Sequence, residues 1–435
     1  MIILLHIPNF NSGEKTNTRI DMLPAGMIAL SNYLSEQDYQ NKILHLGIEK
    51  NLDEHFDITR FVRENSVDTI FCDLHWYYQT YSLFNILKDI KKSGKNIKVI
   101  LGGLTATLFS RQILEDISFI DFVIRGNSEL PSKLVLDWIY KKTKVQLDEI
   151  PNLSWRDDNT IIENSIGYEY SKNTNVNYSV MDNMIDHETY MNTIGYNYHR
   201  KIKEYYHPVL VQFGACDKGC YSCPANNYSL SGFVRKNTGK RWFDQDIILD
   251  NLRKLKKSGI ENIYLMIFDY ENLIGLLRSI KKNIDGMKIL IEICTIPDEH
   301  IIDEIEKTGF GKDIILNCFV FYKDFDISFR DKLDKYFKTH NFEKYLTIAL
   351  GEPYSEKRYY EEILSFSENN KDHLENISFY DYIPDPMTEY SVSSHTFDDI
   401  SKIYNHLKKN SGKILWKNED PEISQLIRKI HQEVR

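Results

Sequence analysis

Apolar runs of strand length alternate with amphipathic helical stretches over residues 1–145. The strands are predicted at residues 2–7, 42–48, 69–74, 98–101 and 122–124. Between them apolar residues recur at helical spacing, as in residues 23–34. Strands that alternate with helices predict a parallel sheet that binds ligands at the carboxyl ends of its strands. We therefore expect residues 1–145 to form a doubly wound α/β domain.

A second alternation begins near residue 205. Its strands are predicted at residues 209–213, 262–268, 288–294, 314–320, 345–350 and 377–382. Asp244 is a predicted N-cap for a helix that ends at Gly259. Six strand–helix units fit an open barrel better than a closed eightfold one, so we expect a partial (β/α)6 TIM-like barrel over residues 205–392.

Two segments interrupt or follow these alternations. Residues 146–204 are predicted to contain a hairpin around residues 157–159, followed by an Asn- and Tyr-rich linker. Residues 393–435 are charged and predicted to form a short helical C-terminal region.

Composition limits the classes of function. The chain has 435 residues and a formal net charge of -9, and at about 150 residues per domain this length predicts two or three domains. Nonspecific nucleic-acid binding needs a basic surface, so no nucleic-acid partner is expected. No apolar run reaches about 18 residues, and the apolar start is too short for a signal peptide, so neither a membrane span nor secretion is predicted. The expected location is the cytoplasm.

Three of the six cysteines share one loop. Cys216, Cys220 and Cys223 form a C-x3-C-x2-C sequence directly after a predicted strand. Three thiolates on one loop can hold three irons of a [4Fe-4S] cluster and leave the fourth iron open to chelate a small molecule. Two other interpretations remain: three unrelated thiols, or a zinc site with His207 as the fourth ligand, although zinc usually takes paired motifs and no second pair lies nearby.

The other three cysteines have a simpler interpretation. Cys72, Cys294 and Cys318 each lie in an apolar run that is predicted to be a strand. We expect them to be buried thiols rather than part of a disulfide framework, which a chain of this length does not need.

The cysteine spacing after a strand resembles that of the radical S-adenosylmethionine (SAM) enzymes. In that family the open iron binds the amino and carboxylate groups of SAM, and reductive cleavage gives a 5′-deoxyadenosyl radical. Further segments are similar to motifs of the cobalamin (B12)-dependent class, with its cobalamin-binding domain before the radical SAM core. They are residues 23–34, the Gly-Gly-Leu-Thr-Ala-Thr turn at 102–107, Arg-Gly-Asn-Ser-Glu at 125–129, Leu-Gly-Glu-Pro at 350–353 and Pro-Asp-Pro-Met-Thr at 384–388.

The resemblance implies a cobalamin site in the first domain, which would be Rossmann-like. Its residues would be Gly102, Gly103 and Thr105 in the Gly-Gly turn, with His75 at a strand end facing the corrin. Two glycines at a strand end also let the backbone approach a large ligand closely, whatever the family. The D-x-H-x-x-G sequence that supplies a cobalt ligand in other B12 proteins is missing, which implies that no histidine of the chain binds cobalt.

The resemblance also implies a SAM site in the barrel. The family usually has an aromatic residue before the last cysteine, but Ser222 holds that place here and Tyr221 precedes it. Asp269, Glu292 and Asn317 lie on or after the second, third and fourth predicted strands. If side chains alternate along these strands, Glu292 and Asn317 point inward as candidate SAM contacts.

The expected cofactors are therefore a [4Fe-4S] cluster, SAM and cobalamin. The expected activity is methylation of an unactivated carbon or phosphorus centre of a small-molecule or peptide substrate, with an electron donor such as flavodoxin or ferredoxin. The alternative within the family is a rearrangement, cyclisation or oxidation without methyl transfer, with or without bound cobalamin. A regulatory zinc or cluster protein without catalysis is the alternative outside the family.

Overall fold

The computed structural model describes the greater part of the chain. The described residues are 1–8, 25–94, 96–179, 183–184, 190, 206–214, 241–267, 270, 272–294, 296–322, 325–326, 328–337, 340–352, 355–369, 376–381, 400–409 and 421–433. They form two compact units. The first contains the described residues up to 190 together with 400–409, and the second contains those from 206 to 381 together with 421–433.

The first unit is built around a seven-stranded sheet. Its strands are β1 (Ile2–His6), β2 (Asn41–His45), β3 (Thr69–Asp73), β4 (Lys98–Gly102), β5 (Phe122–Ile124), β6 (Leu153–Asp157) and β7 (Thr160–Glu163). The order across the sheet is β2-β1-β3-β4-β5-β6-β7. The first five strands are parallel, and β6 and β7 are antiparallel to their neighbours.

Seven described helices lie between or after the first five strands of this sheet, up to residue 139. They are α1 (Ala25–Glu36), α2 (Leu46–Leu52), α3 (Ile58–Glu64), α4 (Thr80–Ser93), α5 (Leu104–Leu108), α6 (Ser110–Asp116) and α7 (Glu129–Ile139). The chain runs from β1 outward to β2 and then returns past β1 to β3, so the direction of winding reverses at β1. Because parallel crossovers are right-handed, this reversal distributes the helices over both faces, where α1 contacts α7 and α3 contacts α4. The reversal leaves a crevice between the carboxyl ends of β1 and β3.

The second strand is shorter than the sequence predicts. Residues 42–48 are predicted as one strand, but β2 ends at His45 and α2 begins at the next residue. The His45 side chain accepts a hydrogen bond from the backbone N–H of Ile48 at 3.3 Å and so caps the new helix. The side-chain cap therefore favours a helix from residue 46 onward, although residues 46–48 are apolar enough to continue the strand.

The predicted hairpin is present and extends the first sheet. Asp157 pairs with Thr160 across a two-residue turn in which Asp158 has a φ of 49°. Asn152, just before β6, is buried and has a φ of 64°. Its amide group donates to the carbonyls of Asn127 (3.1 Å) and Tyr168 (2.8 Å) and accepts from the N–H groups of Gly167 (2.9 Å) and Tyr168 (3.0 Å). This side chain joins the hairpin to the loop after β5.

The second unit contains a six-stranded parallel sheet. Its strands are β8 (His207–Val209), β11 (Asn262–Ile267), β12 (Lys288–Ile293), β13 (Ile314–Val320), β14 (Glu343–Leu350) and β15 (Ile377–Asp381). They lie in the order β15-β14-β13-β12-β11-β8, so each strand neighbours the next one in the sequence. The helices of this unit before β15 are α8 (Gln245–Lys257), α9 (Leu273–Asn283), α10 (Glu299–Glu306), α11 (Phe329–Tyr336) and α12 (Lys357–Asn369).

Sequential order and right-handed crossovers place these helices on one face of the sheet. Tyr336 of α11 marks that face, because its hydroxyl donates to the carbonyls of Leu316 (2.9 Å) and Tyr345 (2.8 Å) beside the buried Cys318. The sequence prediction of an α/β protein is therefore confirmed, with a singly wound parallel sheet in the second unit.

The segment before the cysteine loop differs from the prediction. Residues 209–213 are predicted as one strand, but β8 ends at Val209 and Gln212–Phe213 form a separate strand, β9. β9 pairs antiparallel with β10 (Arg241–Trp242), outside the six-stranded sheet. The predicted N-cap after β10 is confirmed, since Asp244 accepts a hydrogen bond from the N–H of Asp246 at 3.0 Å.

Two C-terminal helices belong to different units. α13 (Ile400–Lys409) lies in the first unit, where the Tyr404 hydroxyl donates to Asn85 at 2.8 Å and its ring lies 5.2 Å from that of Tyr81. α14 (Pro421–Glu433) lies in the second, where Glu422 pairs with Lys357 of α12 at 2.8 Å. No helix in the described ranges is long and apolar enough to cross a membrane.

We predict that Asn152→Ala loosens the hairpin. The variant leaves buried backbone groups without partners and places a side chain with no compensating hydrogen bond at positive φ. It should reduce local stability by about 2–4 kcal/mol and speed hydrogen exchange at residues 150–167. Asn152→Gly, which tolerates this φ but lacks the amide, should lose slightly less. An exposed control, Asn65→Ala, should leave this exchange unchanged, and unchanged exchange in Asn152→Ala would contradict the assigned role.

Candidate functional site

Four parallel strands of the first unit end in a row of residues with potential ligand chemistry. His45 of β2 pairs with His6 of β1, and Asp73 of β3 pairs with Gly102 of β4. The β1–β3 register, in which Leu5 pairs with Cys72, brings His6 beside Asp73. The row therefore crosses the point where the winding of the sheet reverses, which is where open α/β sheets bind ligands.

His6 and Asp73 form a buried pair at the centre of this row. His6 Nδ1 and Asp73 Oδ1 are 2.8 Å apart, and the two residues are 2% and 8% exposed. The second oxygen, Oδ2 of Asp73, is buried and has no hydrogen-bond partner among the residues that the structure describes. The His45 ring lies 4.6 Å from that of His6, and the backbone N–H of His45 donates to the Tyr190 hydroxyl at 2.9 Å.

His75 and Thr105, both predicted as site residues, are brought together at this edge. The carbonyl of His75 accepts hydrogen bonds from the N–H (3.3 Å) and the hydroxyl (3.0 Å) of Thr105. Burial lowers the pKa of His75, and His6 lowers it further while Asp73 acts in the opposite direction. The imidazole is therefore neutral at pH 7 and has a lone pair for hydrogen bonding.

The two glycines of the turn have different physical roles. Gly103 has a φ of 99°, and a Cβ there would lie 2.7 Å from the carbonyl oxygen of Leu74 and 2.9 Å from the N of His75. The close contact with the Leu74–His75 loop is therefore enough to require glycine at position 103, whether or not a ligand approaches the backbone there. At Gly102, by contrast, the nearest atom to a Cβ would be 4.0 Å away, the carbonyl oxygen of Ile124. A ligand group therefore has more room beside Gly102 than beside Gly103.

The Arg125–Glu129 turn serves mainly to hold neighbouring chain segments. The Arg125 guanidinium donates to the carbonyl of Asn164, and the N–H of Gly126 donates to the Thr107 hydroxyl at 3.0 Å. Glu129 is 6% exposed, and it accepts a hydrogen bond from the Tyr170 hydroxyl. Burial raises the pKa of Glu129, an effect that this hydrogen bond opposes.

In the second unit, a polar row crosses four adjacent strands. Glu292 pairs with Asn317, Asn317 pairs with Tyr345 two residues before Thr347, and Thr347 pairs with Ser378. These positions share one face of the sheet, opposite to Cys318 and the helices. The Thr347 hydroxyl lies 3.3 Å from Asn317 Oδ1 and 3.1 Å from the Ser378 hydroxyl. The predicted candidates Glu292 and Asn317 are thus neighbours on the face opposite to the described helices.

Glu292 forms no ion pair with any residue that the structure describes. It is 5% exposed, and among the described residues its Oε2 atom has no hydrogen-bond partner. Burial raises the pKa of Glu292 to about 8, although a side-chain hydrogen bond from Asn317 lowers it in part. At pH 7 the group is therefore mostly a neutral acid, which can both donate and accept a hydrogen bond.

Several predicted residues lie outside the described part of the chain. They are the cluster cysteines Cys216, Cys220 and Cys223, and the candidate SAM contacts Tyr221 and Asp269. Among the residues that the structure describes, no three His, Cys, Asp or Glu side chains are grouped to hold a metal ion. The remaining cysteines match the prediction in part, since Cys72 and Cys318 are buried and Cys294 is partly exposed. His207, the alternative zinc ligand, is 0% exposed in β8.

Sequence reasoning missed His6, Asp73, Thr347 and Ser378. The strands that carry them were predicted, and His6 and Asp73 lie at or near the predicted carboxyl ends. The missing information was the strand order, which makes β1 and β3 neighbours although α1 to α3 and β2 separate them in the chain.

We predict that Glu292 makes the stability of the second unit depend on pH. The folded-state pKa of about 8 exceeds the ordinary glutamate value of 4.5, so between these pH values the folded chain binds a proton that the unfolded chain has released. The stabilisation of the protonated form is complete below pH 4.5 and is lost as the pH rises through 8, by up to about 1.4 kcal/mol per pH unit.

Urea unfolding between pH 5 and pH 8.5 measures this dependence. Glu292→Gln should remove it, whereas the exposed control Asp285→Asn should retain it. An equal pH dependence in wild type and Glu292→Gln would show that Glu292 is ionised at neutral pH.

Comparison with solved structures finds similarity to one enzyme in three structures. Two structures of the cobalamin-dependent S-adenosylmethionine radical enzyme OxsB match 100% of this chain with 14% identity and a TM-score of 0.49; one has aqua-cobalamin and S-adenosylmethionine bound, the other aqua-cobalamin. The apo, selenomethionine-labelled OxsB structure matches with 13% identity and a TM-score of 0.45.

This chain spans 56% of the length of the first two OxsB chains and 55% of the third. No family model matches the sequence, and no curated protein matches it. At these identities and TM-scores, the OxsB structures assign no activity and no residue role to this chain.

Proposed function

We propose that this protein is a cobalamin-dependent radical SAM enzyme that methylates an unactivated carbon or phosphorus centre. The observation that carries the proposal is the C-x3-C-x2-C sequence of Cys216, Cys220 and Cys223, which follows β8 and β9 in the chain. Functional groups of parallel α/β sheets gather beyond the carboxyl ends of the strands. Three thiolates spaced in this way after such a strand are suited to a cluster with one open iron.

The described ends of the cysteine segment support this proposal. Phe213 of β9 pairs with Arg241 of β10, and the N–H of Phe243 donates to the carbonyl of Val211 at 3.0 Å. The rings of Phe213 and Phe243 are 4.8 Å apart. These contacts hold residues 211–213 and 241–243, which flank the cysteine segment in the sequence, close to each other.

The polar row of the second unit fits the hydroxyl-bearing part of SAM. Glu292 would donate and accept hydrogen bonds as a neutral acid, with Asn317 beside it and the Thr347 hydroxyl behind. A buried acid kept neutral in this way recognises hydroxyl groups without adding charge. The unpartnered Oε2 atom of Glu292 provides the acceptor.

The carboxyl edge of the first sheet fits a large polar ligand such as cobalamin. Gly102 leaves room beside the strand end, Asp73 has an unpartnered oxygen, and His75 is neutral. When bound, the cluster would supply the electron that cleaves SAM and cobalamin would supply the methyl group. We further propose a small-molecule or peptide substrate, an electron donor such as flavodoxin or ferredoxin, and the reducing environment of the cytoplasm, which suits an oxygen-labile cluster.

Anaerobic reconstitution tests the cluster. Wild type should bind about four irons per chain and cleave SAM, whereas replacement of Cys216, Cys220 and Cys223 together by Ala should abolish both. Cys294→Ser, which alters a partly exposed thiol outside the motif, should retain the iron. Iron retained by the triple variant would refute the assignment, and zinc in place of iron would favour a regulatory protein.

The same preparation tests the rest of the proposal. A corrin absorption spectrum after incubation with hydroxocobalamin should appear in the protein fraction, and its absence would leave a radical SAM enzyme that does not use cobalamin. A product that is not heavier by one methyl group would favour the rearrangement, cyclisation or oxidation.

We also predict that Glu292 binds SAM in its neutral form. An amide resembles the protonated acid in shape and hydrogen bonding, so Glu292→Gln should keep the SAM dissociation constant within about threefold at pH 7, whereas Glu292→Leu should raise it by about tenfold or more. The wild-type affinity should change above pH 8 and that of Glu292→Gln should not. Isothermal titration of the reconstituted protein measures both, and a large loss in Glu292→Gln at pH 7 would show that the carboxylate is required.

A further inference from the structure

Asp73 has a hydrogen-bonding capacity that the described residues do not use. His6 Nδ1 lies 2.8 Å from Oδ1 of its carboxyl group, whereas Oδ2 is buried and has no hydrogen-bond partner in the described part of the chain. Buried polar atoms are nearly always paired, because a carboxylate oxygen that loses water without gaining a donor costs free energy. An exception at a strand end therefore requires an explanation.

The backbone N–H groups of the three residues after Asp73 all donate to other acceptors. The N–H of Leu74 donates to the carbonyl of Gly102 at 2.8 Å. The N–H groups of His75 and Trp76 both donate to Oε1 of Gln79, at 3.0 and 2.8 Å. The Gln79 amide in turn donates to the carbonyl of Ile7 at 3.0 Å, so Gln79 fixes the loop in this arrangement. The backbone N–H groups at the start of the loop after β3 therefore do not donate to Oδ2 of Asp73.

The position of Asp73 is that of a ligand-binding residue. It ends β3 beside β1, where the winding of the sheet reverses. Its cross-strand partner Gly102 has no side chain and leaves 4.0 Å to the nearest atom at the Cβ position. The strand end at Gly102 therefore has no side chain that would block a small donor group from approaching Asp73.

We infer that Asp73 anchors the ligand of the first unit by accepting a hydrogen bond from an amide N–H group of that ligand. The inference rests on the proposed function, since cobalamin carries primary amides on flexible arms around its corrin ring. The hydrogen bond between His6 Nδ1 and Oδ1 of Asp73 fixes the orientation of the carboxyl group, so His6 is a positioning residue for Oδ2. A carboxylate in place of the contacted amide has no N–H to donate and repels Asp73, so the site selects the amide by both hydrogen bonding and charge.

Corrins that differ in a single amide test this selection. The full chain, with its cluster reconstituted, is titrated with hydroxocobalamin and with its monocarboxylic acids, in each of which one side-chain amide is hydrolysed. Bound corrin is measured by absorbance after gel filtration. At least one monocarboxylic acid should bind wild type about 10- to 100-fold more weakly than hydroxocobalamin does.

Asp73→Asn should reduce that difference to less than about threefold, because asparagine can still accept from His6 and its NH2 group can donate to a carboxylate. The matched control is Asp57→Asn, the same change at an exposed helix cap that Asn also fills well, and it should discriminate as wild type does. Iron content and circular dichroism verify that both variants fold.

The outcomes separate the inference from the proposed function. Equal binding of every monocarboxylic acid by wild type, or unchanged discrimination in Asp73→Asn, overturns the role of Asp73 and leaves cobalamin dependence standing. Wild type that binds iron but no corrin of any kind overturns cobalamin dependence and the inference with it.

Discussion

The carboxyl edge of the first sheet depends on the close approach of two loop backbones at Gly103. The N–H of Leu74 donates to Gly102 at 2.8 Å, the N–H of Ala106 donates to Leu74 at 3.1 Å, and Thr105 donates twice to the carbonyl of His75. A side chain at position 103 would overlap the Leu74 carbonyl. The residues with ligand chemistry, Asp73 and His75, are therefore held in place by a neighbour that has no functional group.

The sequence was most informative about local structure. Hydrophobic alternation located the strands of both sheets, and turn and capping chemistry located the hairpin at Asp158 and the helix start at Asp244, because these features depend on neighbouring residues. The prediction was wrong where two local preferences competed. Residues 46–48 are apolar and were predicted to extend the strand, but the His45 side chain caps a helix that begins at residue 46. The β9–β10 pair was missed because its two strands have only two residues each.

The candidate sites show where sequence reasoning stops. Glu292 and Asn317 lie on consecutive strands of a sheet with sequential order, so strand alternation alone could place them together. His6 and Asp73 meet only because β3 returns past β2 to lie beside β1, and no local pattern encodes that order. The two buried carboxyl groups have different neighbours. His6 lies at hydrogen-bond distance from Asp73, whereas Glu292 has the Asn317 amide beside it and no cation among the described residues, and burial raises its pKa.

The placement of α13 has a consequence for synthesis of the chain. This helix packs on the first unit through Tyr404, which contacts Tyr81 and Phe84 of α4, yet it is encoded after all six strands of the second sheet. On the ribosome the first sheet can form early, but the surface of α4 around these two aromatic residues stays uncovered until the second sheet has been made. During that interval the nascent first unit presents an apolar patch that a chaperone can bind or a second nascent chain can occupy.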